Sequence, residues 1–160
     1  MIIFCPSCWG ECEAQEKVCP KCGADLEGFD KRGFSEKLIS ALRHPEPLTA
    51  VRAAWILGQI KEKAAVPQLI EVLSSSPDPY LQEAAALALG KIGDSKAINV
   101  LAKKLSAPNS YLIVRVASAK ALGIIGGKKP KLALKAAVRY TDGTLKEIIQ
   151  KVLENNTSLL

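Results

Sequence analysis

The chain has 160 residues, of which 48% are hydrophobic and 24% are charged, and its formal net charge is +6. This apolar content excludes an intrinsically disordered chain and is sufficient for one ordinary domain with a small appendage. No apolar run reaches the roughly 20 residues that a membrane-spanning helix needs, and the start MIIFCPSC lacks the charged and apolar regions of a signal peptide. We therefore expect a cytoplasmic protein without membrane contact.

The amino-terminal cysteines form the first recognisable pattern. All five cysteines lie between residues 5 and 22, and four of them form two CxxC pairs with ten residues between the pairs. Two residues between thiolates allow both sulfurs to face one ion from a tight turn, and two such turns supply four soft ligands in a tetrahedron. In a reducing compartment this pattern indicates a metal site more than disulfides. We predict zinc, with iron as the alternative because paired CxxC turns also hold iron.

Residues Ile2 to Leu26 resemble the short zinc-ribbon family, whose pattern contains two CPxCG segments. The second segment here, CPKCG, matches fully, whereas Trp9 stands in the first segment where the family has Gly. The resemblance implies that the metal ligands are Cys5, Cys8, Cys19 and Cys22. Because sulfur would then occupy all four positions, the metal is expected to be structural rather than catalytic. Trp9 is expected to cover the first CxxC turn, with a recognition role as the alternative.

Cys12 is left over from the two pairs. It is either a redox thiol or replacement ligand, or a spare small residue in the ribbon loop, and we favour the spare residue because no further cysteine remains to resolve an oxidised thiol. The polar segment after the cysteines, EGFDKRG, contains two glycines and is typical of a connector. We therefore divide the chain into a zinc ribbon at 1–28, a linker at 29–34 and a helical domain at 35–160.

A self-similar helix returns along the helical domain. AVRAAWILGQI begins at Ala50, QEAAALALGKI at Gln82 and RVASAKALGII at Arg115. A fixed period of about 30 residues indicates an α-helical solenoid, in which stacked copies bury one another's apolar stripes. A second helix follows each copy, so that the domain reads as a half repeat, three full repeats and a closing helix. Trp55, at the helical spacing of the apolar stripe, is expected to pack in the core or between layers, with contact to a partner as the alternative.

These segments resemble HEAT repeats, specifically the short, alanine-rich kind associated with phycobilin lyases. The likeness is carried by VRAAWILGQI, LQEAAALALGKIGD and VRVASAKALGIIG, and it covers about residues 36–154. It implies an all-α fold, a right-handed α-α superhelix preceded by the small zinc ribbon. Within this fold we expect three leucines to interlock between layers, and three glycines near the ends of the first helices to help the chain reverse direction. The leucines are Leu57, Leu89 and Leu122, and the glycines are Gly58, Gly90 and Gly123.

The sequence contains no recognisable catalytic constellation. Its single histidine, His44, lies in the turn HPEP, and neither a glycine-rich phosphate loop nor a nucleophile elbow is present. HEAT-like metal hydroxylases need several His-Glu pairs, which this chain lacks. We therefore predict that the protein is not an enzyme but a non-catalytic scaffold for protein-protein interaction, with another protein as its partner and no small-molecule substrate.

Charge supports an alternative function. Residues 35–160 carry 18 basic and 10 acidic side chains, a net charge of +8, and such a basic solenoid attracts nucleic acid or an acidic protein. Seven of the basic side chains are candidates for one partner-binding face. They are Lys103, Lys104, Lys128, Lys129, Lys131, Lys135 and Arg139. Nucleic-acid binding through the ribbon and this face is the alternative, and a phycobilin-lyase-like enzyme is the remaining one.

Overall fold

The structure, a computed structural model, describes residues 1–27 and 32–155. The amino-terminal residues 1–27, called the cysteine module below, contain two short antiparallel strands, β1 (Ile2–Phe4) and β2 (Glu11–Glu13). Residues 28–31, which include half of the predicted linker, and the tail at 156–160 lie outside the described residues.

Eight α-helices follow, and they alternate between two layers. The second helices of the predicted repeats are α1 (Phe34–Ala41), α3 (Val66–Ser75), α5 (Ile98–Ser106) and α7 (Lys128–Val138). The first helices are α2 (Pro47–Gln59), α4 (Pro79–Ile92), α6 (Leu112–Ile125) and α8 (Gly143–Asn155). The predicted helical architecture is confirmed. None of the described helices is long and apolar enough to cross a bilayer.

The repeated loops start the helices in the same way. Pro47 and Pro79 stand in the first turn of α2 and α4, where a missing amide proton costs no hydrogen bond. The preceding acid caps each helix: the Glu46 carboxylate accepts from the amides of Leu48 and Thr49, and Asp78 accepts from Tyr80. These contacts satisfy amides that have no partner inside the helix.

The glycines near the ends of the first helices bring helices together rather than only ending them. Gly58 and Gly90 are buried inside α2 and α4. A Cβ atom on Gly58 would lie 2.7 Å from the Cα of Ala88, and one on Gly90 would lie 2.7 Å from the Cα of Ala121. The chain reverses direction only after the helix has ended, for example at Gly93, whose φ is +77°.

A continuous apolar core runs between the two layers. The three interlayer leucines, Leu57, Leu89 and Leu122, are fully buried, as predicted. Equivalent leucines of the second helices, Leu69, Leu101 and Leu134, face them from the other layer and are also buried. Each first helix packs along the next one, with α4 between α2 and α6. The stack therefore has one shared spine, as solenoid repeats require.

Candidate functional site

The four predicted ligand cysteines come together at one point of the cysteine module. The sulfur atoms of Cys5, Cys8, Cys19 and Cys22 all lie within 4.8 Å of one another. Cys5 Sγ is 3.6 Å from Cys22 Sγ, and Cys8 Sγ is 3.7 Å from Cys19 Sγ. A tetrahedron with metal–sulfur bonds near 2.3 Å has sulfur–sulfur edges of about 3.8 Å. Two of the six sulfur–sulfur distances therefore match such a tetrahedron, and the four thiols lie close enough together to hold a metal ion.

The two CxxC turns have matching backbone geometry. The Trp9 amide donates to the Cys5 carbonyl at 2.7 Å, and the Gly23 amide donates to the Cys19 carbonyl at 2.9 Å. In each pair, the residue after the second cysteine has a positive φ, which is +58° at Trp9 and +72° at Gly23. Each turn thus presents its two sulfurs from the same kind of loop, although only the second one has the glycine that this conformation favours.

Hydrogen bonds bias one thiol of the cluster toward its charged form. Burial raises the pKa of Cys19, but the amides of Cys22 and Lys21 and the neighbouring thiols donate to its sulfur and lower the pKa to about 6. At Cys22 the amide of Ala24 lowers the pKa, whereas the thiol of Cys8 and burial raise it, to about 12. Cys22 must therefore lose a proton when a metal binds, since thiolates are the ligands.

Cys12 lies beside the cluster but is not one of its four sulfurs. It is buried on β2, and its thiol donates to the Cys19 sulfur at 3.6 Å and to the Gly10 carbonyl at 3.5 Å. Burial, followed by the hydrogen bond to Cys19, raises the pKa of Cys12 to about 11. Cys12 is therefore a neutral neighbour of a ligand sulfur.

A second candidate site is an open groove on the layer of first helices, called the first-helix groove below. Its volume is about 460 Å³, and its lining is almost entirely apolar. The walls come from α2, α4 and the end of α6. The lining residues are Val51, Arg52, Trp55, Tyr80, Glu83, Ala84, Leu87, Ala88, Lys91 and Ile124. Three large side chains stand in solvent there: Trp55 is 59% exposed, Tyr80 66% and Ile124 58%.

The expectation that Trp55 packs in the core is wrong. The preceding alanines, Ala53 and Ala54, take the buried positions of α2, so that the indole points out of the helix layer. Arg52 and Gln59, three residues before and four residues after Trp55, are exposed as well. Because positions three and four residues apart share a helix face, this polar pair marked the exposed side of α2 in the sequence.

The seven predicted contact residues all belong to the opposite layer. Two lie on α5, four on α7 and Arg139 directly follows α7. Hydrogen bonds within the protein fix the side chain of Lys104: its ammonium group donates to the Ser74 carbonyl at 3.3 Å and to the Gln82 side chain at 3.1 Å. Burial, and then the charge of Lys103, lowers the pKa of Lys104. The basic residues therefore lie on elements that do not line the first-helix groove.

His44 lies in the loop between α1 and α2, as predicted, but it contacts the cysteine module. The ring centroids of His44 and Trp9 are 4.3 Å apart, and the ring planes are tilted by 59°. The Nδ1 atom of His44 accepts a hydrogen bond from the Glu46 amide at 3.0 Å. Trp9 therefore does more than cover its own turn: it packs against the helical domain.

Comparisons with known proteins find a matching family model and several relatives for the helical domain. A family model of HEAT repeats matches residues 35–113 and 69–154. The phycocyanobilin lyase subunit alpha of Nostoc sp. PCC 7120 is 38% identical over 123 residues, covering 72% of this chain and 43% of that protein. The deoxyhypusine hydroxylase of Arabidopsis thaliana is 42% identical over 82 residues, covering 51% of this chain and 26% of that protein.

A solved structure shares the same fold. The complex of CpcE and CpcF of phycocyanin lyase from Nostoc sp. PCC 7120 superimposes with a TM-score of 0.59 at 30% identity, covering 82% of this chain and 48% of that chain. This chain spans less than half the length of each of these three relatives.

These relatives correct the prediction that the protein is not an enzyme. Both sequence relatives are named as a hydroxylase or as a subunit of a lyase, which are enzymes. The sequence argument depended on the lack of a familiar catalytic motif. That argument does not extend to a chain that works as one subunit, because a second chain can provide the missing groups.

Proposed function

This chain belongs to the HEAT-repeat family, and we propose that it is a protein-binding subunit of a larger enzyme assembly, with the first-helix groove as its contact surface. The observation that carries the proposal is the set of large side chains left in solvent around this groove, Trp55, Tyr80 and Ile124. Exposed apolar patches of this kind mark interaction sites, and aromatic residues are enriched at the centre of interfaces.

The relatives support a subunit role. One is named subunit alpha of a lyase, and the solved neighbour is a complex of two chains. Because this chain covers less than half of these proteins, we infer a shared mode of assembly and not a complete catalytic activity. The binding energy is expected to come from burial of the groove, at about 25 cal/mol for each Å² of apolar surface.

The assembly is tested by capture and cross-linking with matched variants. The tagged protein, Trp55→Asp and Leu132→Asp are used to capture partners from the native lysate, and cross-linked peptides are mapped by mass spectrometry. Leu132, which is 67% exposed on α7, controls for an apolar side chain on the opposite layer. We expect Trp55→Asp to lose the partner and Leu132→Asp to retain it. Cross-links confined to α5 and α7, or capture that survives Trp55→Asp, would refute the groove as the contact surface.

A small apolar ligand is the second candidate for the first-helix groove. Its volume of about 460 Å³ lies within the range of ligand pockets, and Arg52 and Lys91 can pair with carboxylates on an apolar molecule. One relative is named for phycocyanobilin, which makes this compound the probe of choice. Saturable quenching of Trp55 fluorescence and a shifted bilin absorption spectrum are expected for binding. Unchanged spectra at high bilin concentration would remove this candidate.

We also propose that the four clustered cysteines hold a structural zinc ion, with iron as the alternative. The sulfur–sulfur distances of 3.6 and 3.7 Å support a tetrahedral site, in which no position remains for a substrate. Elemental analysis of the native protein distinguishes the metals. We expect one zinc ion for each chain, whereas one iron ion would establish the alternative.

That the basic residues of α5 and α7 contact a partner remains a prediction. If they bind nucleic acid, the affinity must fall steeply as salt rises, because bound cations are released from the phosphate backbone. Charge reversal at Lys129 and Lys135 should then abolish a low-salt electrophoretic shift. A wild-type protein that causes no shift at low salt would exclude this alternative.

A further inference from the structure

The leading helix of the stack, α1, is shorter and less buried than the next helix of its layer, α3. It has only eight residues, and none of them is fully buried. By contrast, α3 buries Val66, Leu69 and Leu73. Helices shorter than about 12 residues are marginal unless tertiary contacts support them, and solenoids need a terminal unit that covers the exposed end. Leu38, Ile39 and Ala41 of α1 pack on the core of the repeats, and a unit outside the repeats can add further support.

The cysteine module lies against this end. Pro6, which is buried, and Ser7 belong to the first CxxC turn. They share a cavity of about 150 Å³ with side chains from α1 and the loop after it, including Ile39 and Leu42, and with Gln68 and Glu71 of α3. The same turn thus contributes two metal-site cysteines and the surface that faces the first two second helices.

Trp9 joins the metal site to this contact. Its φ of +58° is a left-handed conformation, which bulky residues rarely adopt. The equivalent position in the second turn is Gly23, whose φ is +72°. A tryptophan here is strained where glycine would be relaxed, but its ring packs on His44 at a centroid distance of 4.3 Å. The strained position therefore places an aromatic side chain on the helical domain.

We propose that the cysteine module is a metal-dependent cap on the leading end of the solenoid, and that Trp9 couples the metal site to α1 through His44. The inference rests on the proposed metal site. When the ion holds Cys5 and Cys8 together, the turn between them is fixed. The position of Trp9, which follows this turn, is then fixed as well. Loss of the ion releases this turn, and the cap then no longer supports α1.

The chain offers a variant that separates coupling from metal binding. Trp9→Gly removes the indole but suits the left-handed conformation, as Gly23 shows in the second turn, so that metal binding should be retained. His44→Ala removes the same contact from the other side and leaves the module unchanged. Phe4→Ala is the matched control, because it removes an aromatic side chain that is 55% exposed on β1.

The experiment compares metal-loaded and chelator-treated full-length chains under reducing conditions. Zinc content, the thermal midpoint at 222 nm and amide hydrogen exchange in α1 and α8 are measured. In the wild type and in Phe4→Ala we expect metal removal to lower the midpoint by about 2–6 °C, the scale of one aromatic contact in a domain of this size. Exchange should accelerate in α1 and stay unchanged in α8. In Trp9→Gly and His44→Ala, both metal-dependent changes should be smaller than in the wild type, because only the contacts of Pro6 and Ser7 remain.

The outcomes separate the metal site, the cap and the role of Trp9. Bound metal with an unchanged wild-type midpoint and unchanged α1 exchange overturns the cap while the metal site stands. A metal-dependent shift that is as large in both Trp9→Gly and His44→Ala as in the wild type overturns the role of Trp9. A wild-type chain that binds no metal overturns the metal site and the cap together.

Discussion

The substitution Gly90→Ala tests the close packing of the first helices. Gly90 lies near the end of α4, and a Cβ atom added there would be 2.7 Å from the Cα and 2.8 Å from the Cβ of Ala121 on α6. Carbon atoms in contact are normally about 3.5–4.0 Å apart. The two helices must therefore separate by several tenths of an ångström, since the obstacle is backbone and not a flexible side chain.

Two effects of opposite sign determine how Gly90→Ala changes the free energy of unfolding. Alanine stabilises a helix interior by about 0.8–1.0 kcal/mol relative to glycine, whereas overpacking a tight contact costs about 1–3 kcal/mol. We expect the contact to prevail at Gly90, with a net loss of up to about 2 kcal/mol. In a protein of this size a loss of about 2 kcal/mol lowers the thermal midpoint by roughly 4–8 °C.

The assay is urea and thermal unfolding followed by circular dichroism. Gly33→Ala is the control, because a Cβ atom at Gly33 meets no other atom within 4 Å and its φ of −64° suits alanine. The double change Gly90→Ala with Ala121→Gly should recover only part of the loss, since the contact with the Ala121 Cα remains. A stabilised Gly90→Ala variant would show that helix propensity governs this position and that the contact is not tight.

Three further predictions concern the core, the metal site and a helix cap. Leu89→Ala should lower the free energy of unfolding by about 2–5 kcal/mol in urea titrations, because Leu89 is fully buried; a loss below this range would mean that the layer collapses into the cavity. Cys12→Ala should retain one metal ion for each chain, whereas Cys19→Ala should lose it, as measured by elemental analysis; loss in both would make Cys12 a ligand. The pKa of Glu46 is lowered from its ordinary value of 4.5 by the Thr49 hydroxyl and then by the amides it caps, so its stabilising contribution is complete above that value and is lost as the pH falls through the lowered pKa. The difference in urea midpoint between wild type and Glu46→Gln should therefore shrink on acidification, and a constant difference would contradict the cap.

The repeat period and its leucines could be predicted from the sequence because they are local and periodic. Leu57, Leu89 and Leu122 recur with the period of the fold, and burial of one implies burial of all three. The cysteine cluster could be predicted for a different reason. The short sulfur–sulfur distances join different pairs, Cys5 with Cys22 and Cys8 with Cys19, so CxxC spacing alone does not set them, and the expectation that the two pairs meet came from the resemblance to zinc ribbons.

Contacts between distant segments could not be predicted in this way. Nothing near Trp9 in the sequence indicates His44, which lies 35 residues further along, and the resemblance to a ribbon pattern only marked Trp9 as a departure. The position of Trp55 was misjudged because its spacing was matched to the apolar stripe without regard to its exposed neighbours, Arg52 and Gln59. The position on the helix was the better guide, since alanines had already filled the buried side.

The first-helix groove and the tight helix packing have a common origin in small residues on α4. Gly58 of α2 can approach Ala88 closely only because both side chains are small, and Ala88 also lies at the surface of the groove beside Ala84. Because Ala84 and Ala88 are small, space remains at the surface between the larger side chains of Trp55 and Tyr80. The small residues thus account both for the close packing of α2 on α4 and for the groove. A larger residue at Ala88 would therefore disturb the stack and the groove together, whereas one at Ala84, which is half-buried and packs against the edge of the core, would fill the groove with a smaller effect on the stack. Ala84 is therefore the better position for testing the proposed role of the groove apart from stability.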